Sequence, residues 1–335
     1  MAATCKAHSF HVNSSQKQFK WNNAITPILT VDSGAEISFD LADGGNNQIT
    51  DKSTVADVEN FQNDLADPIY GPIYVNGSEP GDVLKVEFLD LQCASYAWTA
   101  ILKGYGVLAE DFPEPYLKIW DLSPAQQAKG YAVFKEGIHV PLRPFLGVVG
   151  VAPAEPGDHD TIPPQDTGGN IDCKYITQGS TLYLPVKVKG ALLSCGDGHG
   201  AQGDGEVGGS AMETPMKARL RLTVEKGKSW LRSPHYLTNP KTMRQAEVLA
   251  LGEYGCLGID SDLFQASKKA CRQMIEWLVN TKGLTREEAC ILMSVAGDLK
   301  IVEAVDMPNH AVSISIPLSI FVGPQFRDEG AAAKL

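Results

Sequence analysis

The chain has 335 residues, of which 43% are hydrophobic and 21% charged, as in a globular protein with one large domain or two smaller ones. Its net charge of −11 leaves no basic stripe to meet phosphates, so we expect no nucleic-acid partner. No apolar run approaches the roughly 18 residues that a membrane span requires, so we expect no membrane partner either.

The cysteines and the chain ends indicate a compartment. The seven cysteines are odd in number and widely spaced, which suits reduced thiols better than a disulfide framework. The N-terminal segment, with Lys6 and His8 and no apolar core, is unlike a secretory signal. We therefore predict a cytoplasmic protein. The last residues, Ala333-Lys334-Leu335, resemble a peroxisomal address, so a peroxisomal location is the alternative if the source is eukaryotic.

The first part of the chain reads as short strands joined by turns. Strand runs fall at 27–31, at 36–41 with the alternation of a half-buried strand, and at 83–89 after a Pro-Gly turn. Asp43 begins a loop rich in glycine and asparagine, where a turn residue is the simplest role for it. Residues 96–115 mix aromatic residues with glycine, which fits either a substrate-lining loop or plain irregular structure.

The middle of the chain continues in the same way. Further strands are predicted within 131–151 and 182–186, with a long loop at 154–172 between them. A loop longer than about 15 residues in a compact domain is usually functional or disordered. Its compact end, Gly168-Gly169-Asn170-Ile171-Asp172, favours function.

The last third adds an amphipathic strand and the only clear helices. Basic and apolar residues alternate from 216 to 224, as in a strand with one buried face. A helical hairpin is predicted at about 260–297. Its first helix ends at Gly283, and its second begins with a capping box of Thr285 and Glu288.

These elements predict one β-rich domain over residues 1–335. The final apolar run, 311–322, contains Pro317, which predicts an edge or bulged strand. The expected fold is mainly β, a sandwich or barrel-like arrangement, with the helical hairpin packed on a sheet.

Residues of functional type concentrate between Ser194 and Thr214, a stretch rich in glycine and acids. So many glycines suggest either a mobile chain or a backbone folded into conformations that only glycine allows, and the acids and His199 favour the second. The pattern G-x-G-x-x-G occurs at 198–203, but more glycines follow where a dinucleotide site needs a helix. We therefore reject nucleotide binding.

The spacing of the polar residues points to metal-assisted hydrolysis. In an extended segment Asp197 and His199, two positions apart, point the same way and could hold zinc or a similar ion. Asp43, Asp172 and Glu213 are candidates for further carboxylates. The ion would activate water, and a remaining carboxylate would carry a proton to the leaving nitrogen.

Two other kinds of chemistry stay open. His199 could activate Cys195 as a nucleophile, although a buried, inert cysteine is commoner. The acidic loop could instead bind calcium without turnover, although the D-x-D spacing of calcium loops is missing.

A family resemblance orders these alternatives. The run from Gly196 to Val207, followed by Ala211-Met212-Glu213, resembles the central motif of the acetamidase/formamidase family. The resemblance spans about Pro27 to Val305. Other pieces match in the family's order, at 71–75, 79–84, 147–153, 168–172, 184–186 and 190–192.

The resemblance implies a metal-dependent amidohydrolase that cuts formamide, acetamide or similar short amides to ammonia and a carboxylic acid. It also implies a β-rich fold and a homo-oligomer, with a small amide as the substrate. Asp43 falls where the family has an aspartate after its early strand, which favours a functional role. We assign the metal to Asp43, Asp172, Asp197 and His199, and catalysis to Glu213 and Gln202.

The resemblance leaves the ion and the substrate less defined. Zinc is the expected ion, with calcium as an alternative at a second site. The chain departs from the family at 162–166, where relatives usually have a Pro-Gly-x-His-Gly-Gly-Asn type of loop, and this difference bears on substrate choice. Two other functions remain: a non-catalytic small-ligand or metal-binding protein on the same fold, and an amidase that depends on Cys195.

Overall fold

The structure is a computed structural model that describes residues 10–238, 251–305 and 307–326, so the predicted address at Ala333-Lys334-Leu335 lies outside the described residues. Within these ranges no helix is long and apolar enough to cross a membrane.

The α-helices are α1 (Val55–Glu59), α2 (Pro124–Gln127), α3 (Leu263–Lys282) and α4 (Arg286–Ala296). The strands are β1 (Phe10–Val12), β2 (Lys17–Gln18), β3 (Lys20–Trp21), β4 (Leu29–Val31), β5 (Ala35–Leu41), β6 (Ile69–Val75), β7 (Val83–Cys93), β8 (Tyr96–Ile101), β9 (Tyr116–Asp121), β10 (Tyr131–Lys135), β11 (Ile138–Pro141), β12 (Phe145–Val151), β13 (His159–Asp160), β14 (Gly168–Asn170), β15 (Thr181–Pro185), β16 (Ala191–His199), β17 (Met216–Glu225), β18 (His235–Leu237), β19 (Glu253–Asp260), β20 (Asp298–Glu303) and β21 (His310–Pro317).

Two six-stranded sheets form the main body. The strand order is β1-β5-β17-β7-β15-β18 in the first sheet and β14-β12-β16-β6-β2 in the second, where β4 also pairs with β6. Phe88 and Leu220 of the first sheet belong to the same buried cluster as Tyr70 and Leu193 of the second. Because the two sheets enclose a shared apolar core, the mainly β fold and its sandwich form are confirmed.

The predicted helical hairpin is also confirmed. The Asp262 side chain accepts a hydrogen bond from Gln265 N at the start of α3, which ends at Gly283 in the left-handed conformation, with φ 64°. Helix α4 begins with the reciprocal capping box of Thr285 and Glu288. The hairpin packs on a third sheet with the order β19-β21-β20.

Two local predictions are corrected. Strand β21 lies between β19 and β20, so the edge position, one of the two alternatives predicted from Pro317, is wrong. The pairing of β21 with β20 does contain an irregularity, but it lies between Ile301 and Glu303 of β20. Pro317 is the last residue of the strand, where its missing N–H interrupts no further pairing. Residues 96–115 are less irregular than predicted, because 96–101 form β8, which pairs with β9.

Several strands end close together at one end of the sandwich. Strand β12 pairs with both β14 and β16, so that Val148 lies opposite Asn170 on one side and Gly196 on the other. On the first sheet, the end of β5 at Leu41 pairs with Met216 at the start of β17. This register brings the residues that follow β5, β14 and β16 towards a common point.

Candidate active site

Asp197 and His199 come from the last residues of β16. His199 Nε2 lies 2.9 Å from Asp197 Oδ2, and both side chains are buried. The two side chains therefore point to the same place, as predicted. The backbone is not extended there as that prediction assumed, because Asp197 has a left-handed conformation with φ 58°. Aspartate tolerates this conformation better than most residues, and such strain tends to concentrate at functional sites.

Glu213 reaches the same imidazole from the far end of the glycine-rich stretch. Glu213 forms antiparallel bridges with both His199 and Trp98, and its backbone exchanges hydrogen bonds of 2.8 and 2.9 Å with Trp98. Its Oε1 accepts from Ala211 N at 2.8 Å, and its Oε2 lies 3.2 Å from His199 Nε2. Backbone pairing on both sides therefore fixes the position of this carboxylate.

Gln202 holds the other side of the imidazole. Its Nε2 donates to the backbone oxygen of Asp172 at 2.8 Å, which turns its Oε1 towards His199 Nδ1 at 2.9 Å. Because an amide oxygen only accepts, the neutral imidazole carries its proton on Nδ1 and presents the lone pair of Nε2 to the carboxylates. These contacts give Gln202 a role in positioning His199.

Two glycines allow the carboxylates to pack against the backbone. A Cβ atom on Gly147 would lie 2.5 Å from Asp172 Oδ1 and would overlap Asp197. A Cβ atom on Gly44 would lie 3.1 Å from Glu213 Oε2 and would also overlap Asp197. The cluster of Asp172, Asp197, His199 and Glu213 therefore needs glycine at both positions for steric reasons.

The cluster has the chemistry of a divalent cation site. Its ligand atoms form two groups, each within 4.8 Å: Asp172, Asp197 and His199, and His199, Glu206 and Glu213. Asp172 Oδ1, Asp197 Oδ1 and Glu213 Oε2 are buried without a hydrogen-bond partner, which is costly unless a cation meets them. Imidazole and carboxylate ligands suit zinc, and His199 Nε2 and Asp197 Oδ2, 2.9 Å apart, are close enough to share one ion.

Burial and mutual repulsion shift the pKa values of these groups. Burial raises the pKa of Glu213 to about 8 and that of Asp172 to about 7. Burial opposes a charge on His199, but the negative charges of Asp197 and Glu213 outweigh it and raise the pKa of the imidazole well above its usual range. Burial likewise opposes a charge on Asp197, but His199 outweighs it and lowers the pKa of that carboxyl. The cluster therefore favours added positive charge.

Asp43, which the sequence assigns to the metal, lies beside the cluster and belongs to neither group of ligand atoms. It is fully buried after β5, and its Oδ1 accepts from Asn47 N at 3.1 Å. Burial raises its pKa to about 7. A ligand role for Asp43 stays a prediction.

Glu206 and Asp67 are two acids that the sequence analysis did not assign. Both line the cavity described below, and burial raises both of their pKa values well above the usual range. The signal for Glu206 was its place among the acids of the glycine-rich stretch. Asp67 follows the weakly helical segment around α1, and no local pattern distinguishes it from a surface acid.

A cavity of about 210 Å³ opens over the cluster. Its polar part consists of the acids, His199, Asn63, Asn170 and Ser210, and a separate set of apolar and aromatic side chains lies beside them. Three of these side chains come from 96–115, and the substrate-lining role of that segment stays a prediction. Ile162 begins the segment that departs from the family pattern. The apolar and aromatic lining residues are Phe61, Ala66, Trp98, Leu102, Tyr105 and Ile162.

Cys195 lies on the core side of β16. Its side chain is 0% exposed, packs between the two main sheets and does not line the cavity. Burial raises the pKa of its thiol well above the usual range. Because the thiolate is the nucleophilic form, this placement disfavours the thiol mechanism.

The chain is similar to known proteins over most of its length. The model of the Acetamidase/Formamidase family matches residues 6–159 and 157–322. A formamidase from Methylophilus methylotrophus is 26% identical over 90% of this chain and 88% of its own. A gamma lactamase from Delftia acidovorans superimposes with a TM-score of 0.83 at 25% identity, over 92% of this chain and 90% of its own. An acetamidase from Bacillus halodurans does so with a TM-score of 0.64 at 29% identity, over 93% of this chain and 98% of its own.

Proposed function

This chain belongs to the acetamidase/formamidase family, whose members act on amide C–N bonds, and we propose that it is a metal-dependent amidohydrolase. The proposed substrates are small aliphatic amides, with formamide and acetamide as the simplest, and the products are ammonia and a carboxylic acid. One observation carries the proposal: ligand atoms of Asp172, Asp197 and His199 lie within 4.8 Å of one another beside an open cavity, and each of the two aspartates has a buried oxygen without a hydrogen-bond partner.

In this proposal Asp172, Asp197 and His199 hold the ion, which we take to be zinc. When bound, a zinc ion supplies an activated water and polarises the amide carbonyl. Gln202 would hold the ring of His199 through Nδ1, so that Nε2 would be free to bind the ion. Calcium at a second site stays an alternative for the group that contains Glu206.

Glu213 is the proposed proton carrier. Its Oε2 has no hydrogen-bond partner and lies next to the imidazole, while burial raises its pKa to about 8. The carboxylate accepts a proton from the attacking water as the new C–O bond forms. It then gives that proton to the nitrogen as the C–N bond breaks, so that ammonia leaves and the carboxylate is restored.

A second candidate is hydrolysis of a cyclic amide, in which ring opening leaves the new amine and the new carboxylate in the same product molecule. The observation that favours it is the higher TM-score with the gamma lactamase, 0.83 against 0.64 for the acetamidase. The same cluster would serve, because the bond that breaks is again an amide C–N bond. The homo-oligomer predicted from the family resemblance is part of the proposal and can be measured by light scattering.

Ammonia release under controlled metal content tests the proposed function. Purified protein loaded with zinc should release ammonia from formamide and acetamide, and chelator treatment should abolish the activity until zinc is restored. A γ-lactam assayed for ring opening separates the second candidate from the first. Protein that carries stoichiometric zinc and hydrolyses no amide of either kind would leave only the binding-protein alternative.

A further inference from the structure

One wall of the cavity is formed by the side of a small hydrophobic cluster that is separate from the two larger cores. Trp98 belongs to this cluster, and Phe61 and Leu102 pack against it as half-buried side chains that also line the cavity. The Phe61 and Trp98 rings lie with centroids 6.2 Å apart. Fully buried members support the wall from behind; they are Ile49, Val58 and Ala100.

This apolar wall lies directly beside Glu213, the proposed proton carrier. A Cβ atom on Gly45 would lie 2.7 Å from Trp98 and 3.1 Å from Phe61, whereas the neighbouring Gly44 packs against the Glu213 carboxylate. The backbone of Trp98 is hydrogen-bonded in both directions to that of Glu213. An amide whose C–N bond lies beside Glu213 therefore has apolar surface within reach of its other substituent.

The remaining lining explains what kind of substituent fits. Among the described residues that line the cavity there is no lysine or arginine, and five are carboxylates: Asp67, Asp172, Asp197, Glu206 and Glu213. An anionic acyl group would be repelled by these acids, and a formyl or acetyl group would leave the apolar wall uncovered. A cavity of about 210 Å³ is many times the ~10–15 Å³ that one water molecule needs, so it has room for more than a methyl group.

We propose that Phe61, Trp98 and Leu102 form an acyl pocket, and that the preferred substrates carry a neutral, apolar acyl group larger than acetyl. This inference rests on the proposed function and refines its substrate class. Burying one additional methylene group raises kcat/KM by about fourfold, which corresponds to about 0.8 kcal/mol.

A chain-length series measures the pocket. With the zinc-loaded protein, kcat/KM should rise about fourfold per methylene from acetamide through propionamide to butyramide, and level off once the cavity is filled. Calorimetry should show hexanoate binding more tightly than acetate, because the carboxylic acid product occupies the same pocket. A flat or falling series, with acetamide still hydrolysed, would overturn the acyl pocket and leave the proposed function standing.

A pair of matched variants locates the pocket. Leu102 and Leu117 are half-buried leucines packed on the same hydrophobic cluster, but only Leu102 lines the cavity. Leu102→Ala should lower the ratio of kcat/KM for hexanamide to that for acetamide by about tenfold. Leu117→Ala should leave this ratio within twofold. The ratio does not depend on the amount of folded enzyme, so a loss of stability cannot imitate the result.

The outcomes distinguish the acyl pocket from the proposed hydrolytic function. Equal ratios in the two variants would show that Leu102 does not contact the acyl group, and would overturn the pocket. Absence of hydrolysis for every amide in the series, together with tighter binding of hexanoate than of acetate, would support the pocket and contradict the proposed function. Absence of both would contradict both.

Discussion

The glycine-rich stretch from 196 to 213 and the helical hairpin from 262 to 296 show two ways in which this chain determines structure. The hairpin follows local rules: Asp262 caps α3, Gly283 ends it, and Thr285 begins α4. The glycine-rich stretch contains left-handed backbone at Asp197 and Glu206, and its shape depends on partners from β8, β12, α4 and the loops that follow β5 and β14.

The difference shows where function resides. The capping side chains of the hairpin stabilise their own helices, so a substitution at a cap should change stability and leave the chemistry intact. Ser294 of α4 differs from the caps, because its side chain accepts a hydrogen bond from Gly208 N and donates one to the backbone oxygen of Ser210. In the glycine-rich stretch the carboxylates are held close together against their mutual repulsion, so a substitution there should change chemistry more than stability. Substitutions in the two regions test this separation.

Glu213→Gln should reduce kcat by about 100- to 10,000-fold, because the amide cannot accept the proton of the attacking water. Bound metal should remain, since the proposed ligands Asp172, Asp197 and His199 are unchanged. Metal analysis and ammonia release on the same preparation check both parts. Retention of full activity would remove Glu213 from proton transfer.

Gly147→Ala should reduce activity by about 100-fold, because the added Cβ displaces the carboxylates of Asp172 and Asp197. Gly255→Ala is the matched control, since a Cβ there would find its nearest neighbours at an ordinary 3.7 Å. Kinetics and thermal unfolding of the two variants give the comparison. Equal activities would show that the cluster tolerates a methyl group at its centre.

Gln202→Ala should weaken metal affinity by about 10- to 100-fold, because His199 Nδ1 loses the acceptor that fixes its orientation. Activity should recover when excess metal is supplied, since Gln202 positions a ligand and does not transfer a proton. A metal titration that follows activity separates the two roles. A loss of kcat at saturating metal would instead support the catalytic role that the sequence assigned to it.

Thr285→Ala should lower the free energy of unfolding by about 1 kcal/mol through loss of the capping box, with kcat per folded molecule unchanged. Urea unfolding measures the first quantity, and activity normalised to folded protein measures the second. A change in kcat would show that the hairpin and the active site are coupled and would blur the distinction between the two regions.

Much of the fold could be predicted because its signals are local. Alternation in 36–41 and 216–224 predicted β5 and β17, and caps at Thr285 and Gly283 predicted the hairpin. Strand β21 was misplaced at an edge because Pro317 was treated as an interior residue, although it ends the strand. Which strand neighbours which depends on tertiary packing, and local pattern does not specify it.

The site could be predicted only in part. The spacing of Asp197 and His199 was informative even though the assumed extended backbone was wrong, because left-handed Asp197 still brings the two side chains together. Glu206 and Asp67 were not assigned, since their role comes from a shared cavity and not from spacing. The apolar wall of the proposed acyl pocket could not be predicted from the sequence either, because Phe61 and Trp98 are far apart in the chain.

The most direct test of the central claim is the metal content and the amide hydrolysis rate of His199→Ala, measured beside wild type. His139→Ala serves as the matched control, because this half-buried histidine stacks on Tyr131 and does not line the cavity. We predict an equimolar amount of zinc and normal turnover in wild type and in His139→Ala, and loss of both in His199→Ala. A His199→Ala protein that keeps its full metal content and full rate would contradict the account.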